Sequence, residues 1–174
     1  MTNQTKEKLR ALGFRGMLRA YEESTATPAP AEWSLDEHLA RLVDAECDER
    51  HERRVSRALK RSRLRTGATL TDVDTGGERG LDRTLIRRLA EGTWLKQAQN
   101  LFITGMTGTG KTYLCEALAH QACNLEYRVL YFTCTKFFRY LKESQADNSF
   151  GTRMKQVSRY GLLAIDDFAL EPFT

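Results

Sequence analysis

Long apolar runs are absent from the 174-residue chain, and none approaches the roughly 20 residues that carry a helix across a bilayer. No membrane partner is expected. The N-terminus mixes Lys6, Glu7, Lys8 and Arg10 with isolated leucines, so it lacks the apolar stretch of a secretory signal. Cysteine is sparse. Cys47, Cys115, Cys123 and Cys134 are scattered, with no C-x-x-C pair and no histidines set to complete a zinc site, which points to small buried thiols in a reducing cytoplasm. Glycine and proline are both missing between residues 31 and 66, so nothing in the backbone interrupts a long helix there. Acids are almost missing from residues 50 to 65, where Glu52 stands alone, and no aromatic ring interleaves with the arginines of that stretch. Base stacking on it is therefore not expected.

The length allows one domain with an appendage, or two small ones. Lys and Arg number 27 against 23 Asp and Glu, a net +4, which permits a nucleic-acid partner without requiring one. Leu9, Leu12, Leu18 and Tyr21 predict a short helix pair over 5–24, broken around Gly13 to Gly16. Pro28 and Pro30 make Thr25 to Ala31 an extended linker. Ser34 and Glu37 form an S-x-x-E capping box opening a helix to about residue 62, with an apolar stripe of Leu35, Leu39, Leu42, Val43 and Cys47 continuing weakly through Val55, Ala58 and Leu59. Arg50, Arg53, Arg54, Arg57 and Arg61 follow one another at helical spacing and share one face. Such a stripe suits a phosphate backbone. It equally suits a solvated face paired with Asp44, Glu46, Asp48 and Glu49.

Residues 67–80 read as a Thr-, Asp- and Gly-rich loop, and Leu81 to Trp94 as an amphipathic helix with Leu85 and Trp94 in a core. The organising stretch follows. Asn100 to Thr104 is a short apolar strand, and Gly105-Met106-Thr107-Gly108-Thr109-Gly110-Lys111-Thr112 fits G-x-x-x-x-G-K-[ST] at every fixed position, with a helix beginning at its end. A triphosphate needs backbone N–H groups closing around its oxygens, which glycines permit, and a helix N-terminus adds further donors. Lys111 is suited to the β and γ phosphates and the Thr112 hydroxyl to Mg²⁺.

Residues 128–133 predict a second strand and 135–145 a helix carrying Phe137, Phe138 and Leu141 on its apolar side. A loop from Asp147 to Thr152 and a short helix over 152–159 follow. Leu162 to Ile165 then form an apolar strand ending in Asp166 and Asp167. Alternating strands and helices imply a parallel sheet covered on both faces, with ligands at its carboxyl edge. There Asp166 suits the Mg²⁺ shell opposite Thr112, and Asp167 suits orienting or deprotonating an attacking water.

The order of capping-box helix, arginine-rich helix, Leu81-Asp82-Arg83, Trp94-Leu95, Asn100 to Gly105, the glycine loop, Ala122-Cys123 and Leu162 to Asp167 with Phe168 and Glu171-Pro172 resembles the IstB-like transposition helper ATPases. These are relatives of the DnaC helicase loaders within the AAA+ group. The resemblance covers nearly the whole chain. It implies an α/β P-loop NTPase of AAA+ type, incomplete here, behind an all-helical N-terminal domain: 1–66 helical, 67–80 linker, 81–174 the first part of the ATPase domain. ATP and Mg²⁺ are the implied cofactors, with Thr107, Thr109 and Tyr113 joining the nucleotide-contacting set. The implied partners are DNA, further copies of the chain and a transposase, and the implied task is delivery of target DNA. A DnaC-type helicase loader is the alternative. In the AAA+ arrangement a later strand lies between the glycine-loop strand and the Asp166 strand. A chain ending at Thr174 is therefore expected to leave those edges unpaired, to turn over ATP poorly and to be prone to aggregation.

Overall fold

The computed structural model describes residues 3–26, 33–76 and 80–168, and contacts divide the chain into two compact units between Arg54 and Val55. The boundary expected at residues 66 and 67 falls inside the second unit.

The first unit holds α1 (Asn3–Ala11), α2 (Arg15–Ala26) and the first part of α3 (Leu35–Ser62). The helix pair forms as its leucines predict. Thr25 and Ala26 close α2 rather than begin a linker, and residues 27–31 of that linker lie outside the described residues. The capping box forms too: Ser34 N donates to Glu37 Oε2 at 2.6 Å and Glu37 N to Ser34 Oγ at 3.3 Å. The bond from the Ser34 N–H holds the Glu37 carboxyl below its usual range.

The N-terminal part of the apolar stripe of α3 does not form a core. Leu35, Leu39 and Val43 are 83%, 56% and 40% exposed, whereas Glu46 is only 4% exposed. Backbone proximity explains the inversion. A Cβ on Gly16 would lie 2.1 Å from the Ala45 carbonyl oxygen, so only glycine lets α2 start against α3 there. The first amides of α2 then need an acceptor. Glu46 supplies it, taking the Gly16 N–H at 2.8 Å and the Met17 N–H at 3.3 Å. Arg50 Nε donates to the other carboxylate oxygen at 2.8 Å and stacks its guanidinium 5.3 Å from the Phe14 ring centre. Burial pushes the Glu46 carboxyl up, but the Arg50 bond and the two N–H groups more than offset it, leaving the carboxyl below its usual range.

In the second unit the end of α3 leads through a 3₁₀ turn to α4 (Arg83–Ala90), α5 (Thr93–Lys96) and α6 (Lys111–Asn124). The helix predicted over 81–94 breaks at Gly92. Asp82 caps α4 by accepting from Thr84 N at 2.7 Å. Leu85, expected in a core, is 49% exposed, because Ile86 is the residue that α4 buries. Gln121 Nε2 donates to the Ala90 carbonyl at 3.0 Å and ties this region to α6.

Next come β1 (Val129–Thr133), α7 (Cys134–Ala146), α8 (Phe150–Val157) and β2 (Leu162–Asp166). The two strands are parallel, with Val129 opposite Leu162 and Thr133 opposite Asp166. On one side Ala119, Ala122 and Cys123 of α6 pack with Val129, Tyr131 and Ala164, and Ala58 and Leu59 of α3 pack against that cluster. On the other, Leu130 and Phe132 meet Val157, with Phe137 and Tyr140 of α7 around them. This is an α/β arrangement, a parallel strand pair with helices packed on both faces, in a chain whose N-terminal part is helical.

Two strand expectations need correction. Leu101 to Thr104 carry no ladder, and Phe102 is 81% exposed. All five residues of β1 are buried, while in β2 only Ala164 is. Among the described residues the sheet has two strands, and Leu101 to Thr104 pair with neither.

Candidate functional site

The glycine loop closes directly onto α6. Gly110 occupies the N-cap at φ 89° and Gly108 sits at φ 82°, left-handed conformations that a side chain disfavours. They turn the chain so that Lys111 and Thr112 become the first helical residues. The Met106 carbonyl gathers the loop. It accepts from Thr109 N at 3.4 Å, Thr109 Oγ1 at 2.8 Å and the Lys111 ammonium at 2.8 Å. Lys111 is thus folded back over the loop, its charge beside the amides that open α6. Gly105, Thr107, Gly108, Thr109, Gly110, Thr112 and Tyr113 are all exposed, and Lys111 is partly so.

This donor set fits a polyphosphate: a lysine, a hydroxyl and the first N–H groups of a fourteen-residue helix, with no carboxylate in Gly105–Thr112. Among the described residues no cluster of three or more His, Cys, Asp or Glu side chains is built for a metal. A Mg²⁺ held with phosphates needs only one or two carboxylates. Asp166 and Asp167 are the carboxylates at issue.

Asp166 ends β2, which packs against α6. Cys115 lies one helical turn beyond Thr112, and its thiol is pushed up to about 11, by burial first and then by the charges of Asp166 and Glu116. The Asp166 charge is therefore felt at Cys115, in the first half of α6. Its Oδ2 accepts from the Tyr131 hydroxyl at 2.9 Å. Burial, then that bond, pushes the Tyr131 phenol well above its usual range, so it stays a donor. Asp167 is exposed and left-handed at φ 54°, turning the chain away as the strand ends.

Two further residues escaped the sequence reading. Tyr131 looks like one more aromatic in a strand, and only the register opposite Ala164 brings its hydroxyl to Asp166. Glu116 is 1% exposed, and its Oε2 accepts the Thr66 N–H at 2.8 Å and the Thr66 hydroxyl at 2.6 Å. An acid among the apolar positions of α6 was the available signal. Its contact fastens the chain leaving α3 to the helix that carries Lys111.

The arginine stripe is on α3 as the spacing requires. Arg50, Arg53 and Arg54 belong to the first unit, and Arg57 and Arg61 to the second. All five are exposed. Arg50 is committed to Glu46, an acid that the solvated-face reading had set against these arginines. Among the described residues no helix is long and apolar enough to cross a membrane.

Comparison with known proteins agrees with this architecture. Residues 7–174 match the family described as IstB-like ATP binding protein. The chain is 39% identical over 171 residues to a candidate ATP-binding protein of insertion sequence IS1162 from Pseudomonas fluorescens, covering 98% of this chain and 74% of that one. It is 34% identical over 172 residues to an insertion-sequence protein of Sinorhizobium fredii with a similar name, covering 99% and 70%. A third such protein, from Mycobacterium tuberculosis, is 27% identical over 169 residues, covering 97% and 67%. With nearly its full length inside the match, the chain belongs to the IstB-like ATP-binding proteins associated with insertion sequences.

Proposed function

We propose that this protein is the ATP-dependent helper of an insertion sequence: it binds ATP with Mg²⁺ in the cytoplasm, assembles with further copies on DNA and presents target DNA to a transposase. The observation that carries the reading is the glycine loop ending on α6 with the Lys111 ammonium held over it. Insertion-sequence relatives supply the setting.

In this reading Lys111 binds the outer phosphates, the loop amides around Gly108 and Gly110 take the remaining oxygens, and Thr107, Thr109 and Tyr113 border the nucleotide. Thr112 and Asp166 would hold Mg²⁺, which when bound supplies charge neutralisation at the phosphates. Tyr131 orients the Asp166 carboxylate. Asp167 orients a water or accepts its proton. Along α3, Arg53, Arg54, Arg57 and Arg61 would follow a DNA backbone, whereas Arg50 contributes less because Glu46 already neutralises it.

Titration with a fluorescent ATP analogue and Mg²⁺ tests the nucleotide half. Lys111→Ala should weaken binding about tenfold or more, the expected loss for a charge-assisted contact, with the helical circular dichroism unchanged. Equal affinity in Lys111→Ala would remove the glycine loop from the site. For DNA, affinity is followed against salt with Arg53, Arg54 and Arg57 changed to Ala. An unchanged salt slope would take α3 out of the interface.

A further inference from the structure

A cleft of about 290 Å³ opens beside the end of β1, and none of its lining residues belongs to the glycine loop. Arg63 and Arg65 line it from the segment that leaves α3, and Lys136 and Arg139 from α7. The one acid in the lining, Glu143, is ion-paired with Arg153 at 3.8 Å. Among the described residues none of the four cations has a carboxylate partner. Four positive charges thus share one concavity with little to neutralise them, and they repel one another unless an anion joins them.

Two of the four cations, Arg63 and Arg65, are also held in place. Arg63 is left-handed at φ 66°, a conformation that a residue with a Cβ adopts only at a cost. It sets the guanidinium 4.9 Å from the Phe132 ring centre. Arg65 stacks 5.7 Å from Tyr131. Stacking uses the face of a guanidinium and leaves its in-plane N–H groups for an acceptor. It also limits the ligand. Tyr131 and Phe132 are 2% and 5% exposed, and the Tyr140 ring is met by Arg153 at 4.8 Å. Little ring face is left for a nucleobase, so the cleft offers charge and forked donors to a compact anion with several oxygens.

We propose that this cleft binds a phosphate group, presented by a nucleic-acid backbone or by free phosphate. The cleft takes no residue from the glycine loop, though Tyr131 lines it and bonds Asp166. Only its nucleic-acid source rests on the DNA-binding half of the proposed function.

The test uses the full chain with Lys136→Gln and Arg139→Gln together, both exposed positions on α7, and Arg65→Gln as a second variant should the first fold poorly. Fluorescence anisotropy of labelled DNA is measured against salt. The double variant should lower the slope of log affinity on log salt by about two, one for each lost phosphate contact. In parallel, inorganic phosphate is titrated into Lys111→Ala protein, with the glycine loop impaired, with and without the cleft substitutions. A reduced slope assigns the cleft to a nucleic-acid backbone, and loss of inorganic phosphate binding alone assigns it to free phosphate. Both readouts unchanged would overturn the proposal. So would polyglutamate bound as tightly as DNA and lost to the same extent, since the cleft would then read acidic protein. If the unsubstituted chain ignores DNA yet binds inorganic phosphate through the cleft, the DNA half of the function fails and the cleft stands.

Discussion

Val129 to Thr133 and Leu101 to Thr104 are similar in composition, both apolar with β-branched and aromatic members, and they end very differently. Every residue of the first is buried in a parallel ladder with β2. The second has no ladder, and its Phe102 is 81% exposed. Strand propensity reports fitness for a half-buried pleated surface rather than an intrinsic backbone choice, so a run of residues becomes a strand only where another strand lies alongside. The same lesson holds within α3. Leu35 and Leu39 have the residue type for a core and remain outside, while the acidic Glu46 is inside because α2 brings it donors.

The contrast is broken most strongly by removing one aromatic ring from each stretch. Tyr131→Ala should cost about 3–5 kcal/mol in urea denaturation, as large buried side chains do. Phe102→Ala should change stability by no more than about 0.5 kcal/mol. Comparable losses would mean that Leu101 to Thr104 are buried and paired in solution.

Smaller effects are expected in α3. Glu46→Ala leaves the buried Gly16 amide and the partly buried Met17 amide without acceptor and Arg50 without its partner, and should cost about 1–3 kcal/mol. Leu39→Ala should be close to neutral. The Glu46 contribution also depends on pH in a defined direction. Its carboxyl titrates below the ordinary 4.5 when folded, so its contribution is complete above that pH and fades as pH falls through the lower folded value. A stability profile from pH 7 (approximately) down to acid should be flatter in Glu46→Gln. A profile identical to that of the unsubstituted chain would show that Glu46 does not carry this dependence.

The smallest change sharpens the distinction between local and distant partners. Ser34→Ala removes one side of the capping box and should cost about 1 kcal/mol in thermal denaturation. Unlike Glu46 with Gly16, Ser34 and Glu37 find each other within one turn of the chain. A loss as large as that of Glu46→Ala would place Ser34 in a wider network.

Much of the site was legible for that reason. The glycine loop, Lys111 and Thr112 are contiguous, and a helix beginning at Lys111 follows from glycines that end where apolar periodicity starts. Asp166 and Asp167 were legible as the end of an apolar strand. Tyr131, Glu116 and the four cations of the cleft were not. Arg63 and Arg65 are some seventy residues from Lys136 and Arg139, and no periodicity connects them.

By itself the sequence determined what depends on neighbours within a few residues: the capping box, the length of α3, the turn into α6, and β1 and β2 as strand segments. Only the tertiary structure decided which apolar segments acquired a partner, which acid was buried, and which cations came to share a cleft. Backbone conformation and helical spacing act through local sterics and hydrogen bonds, whereas burial and charge convergence depend on what another part of the chain brings alongside.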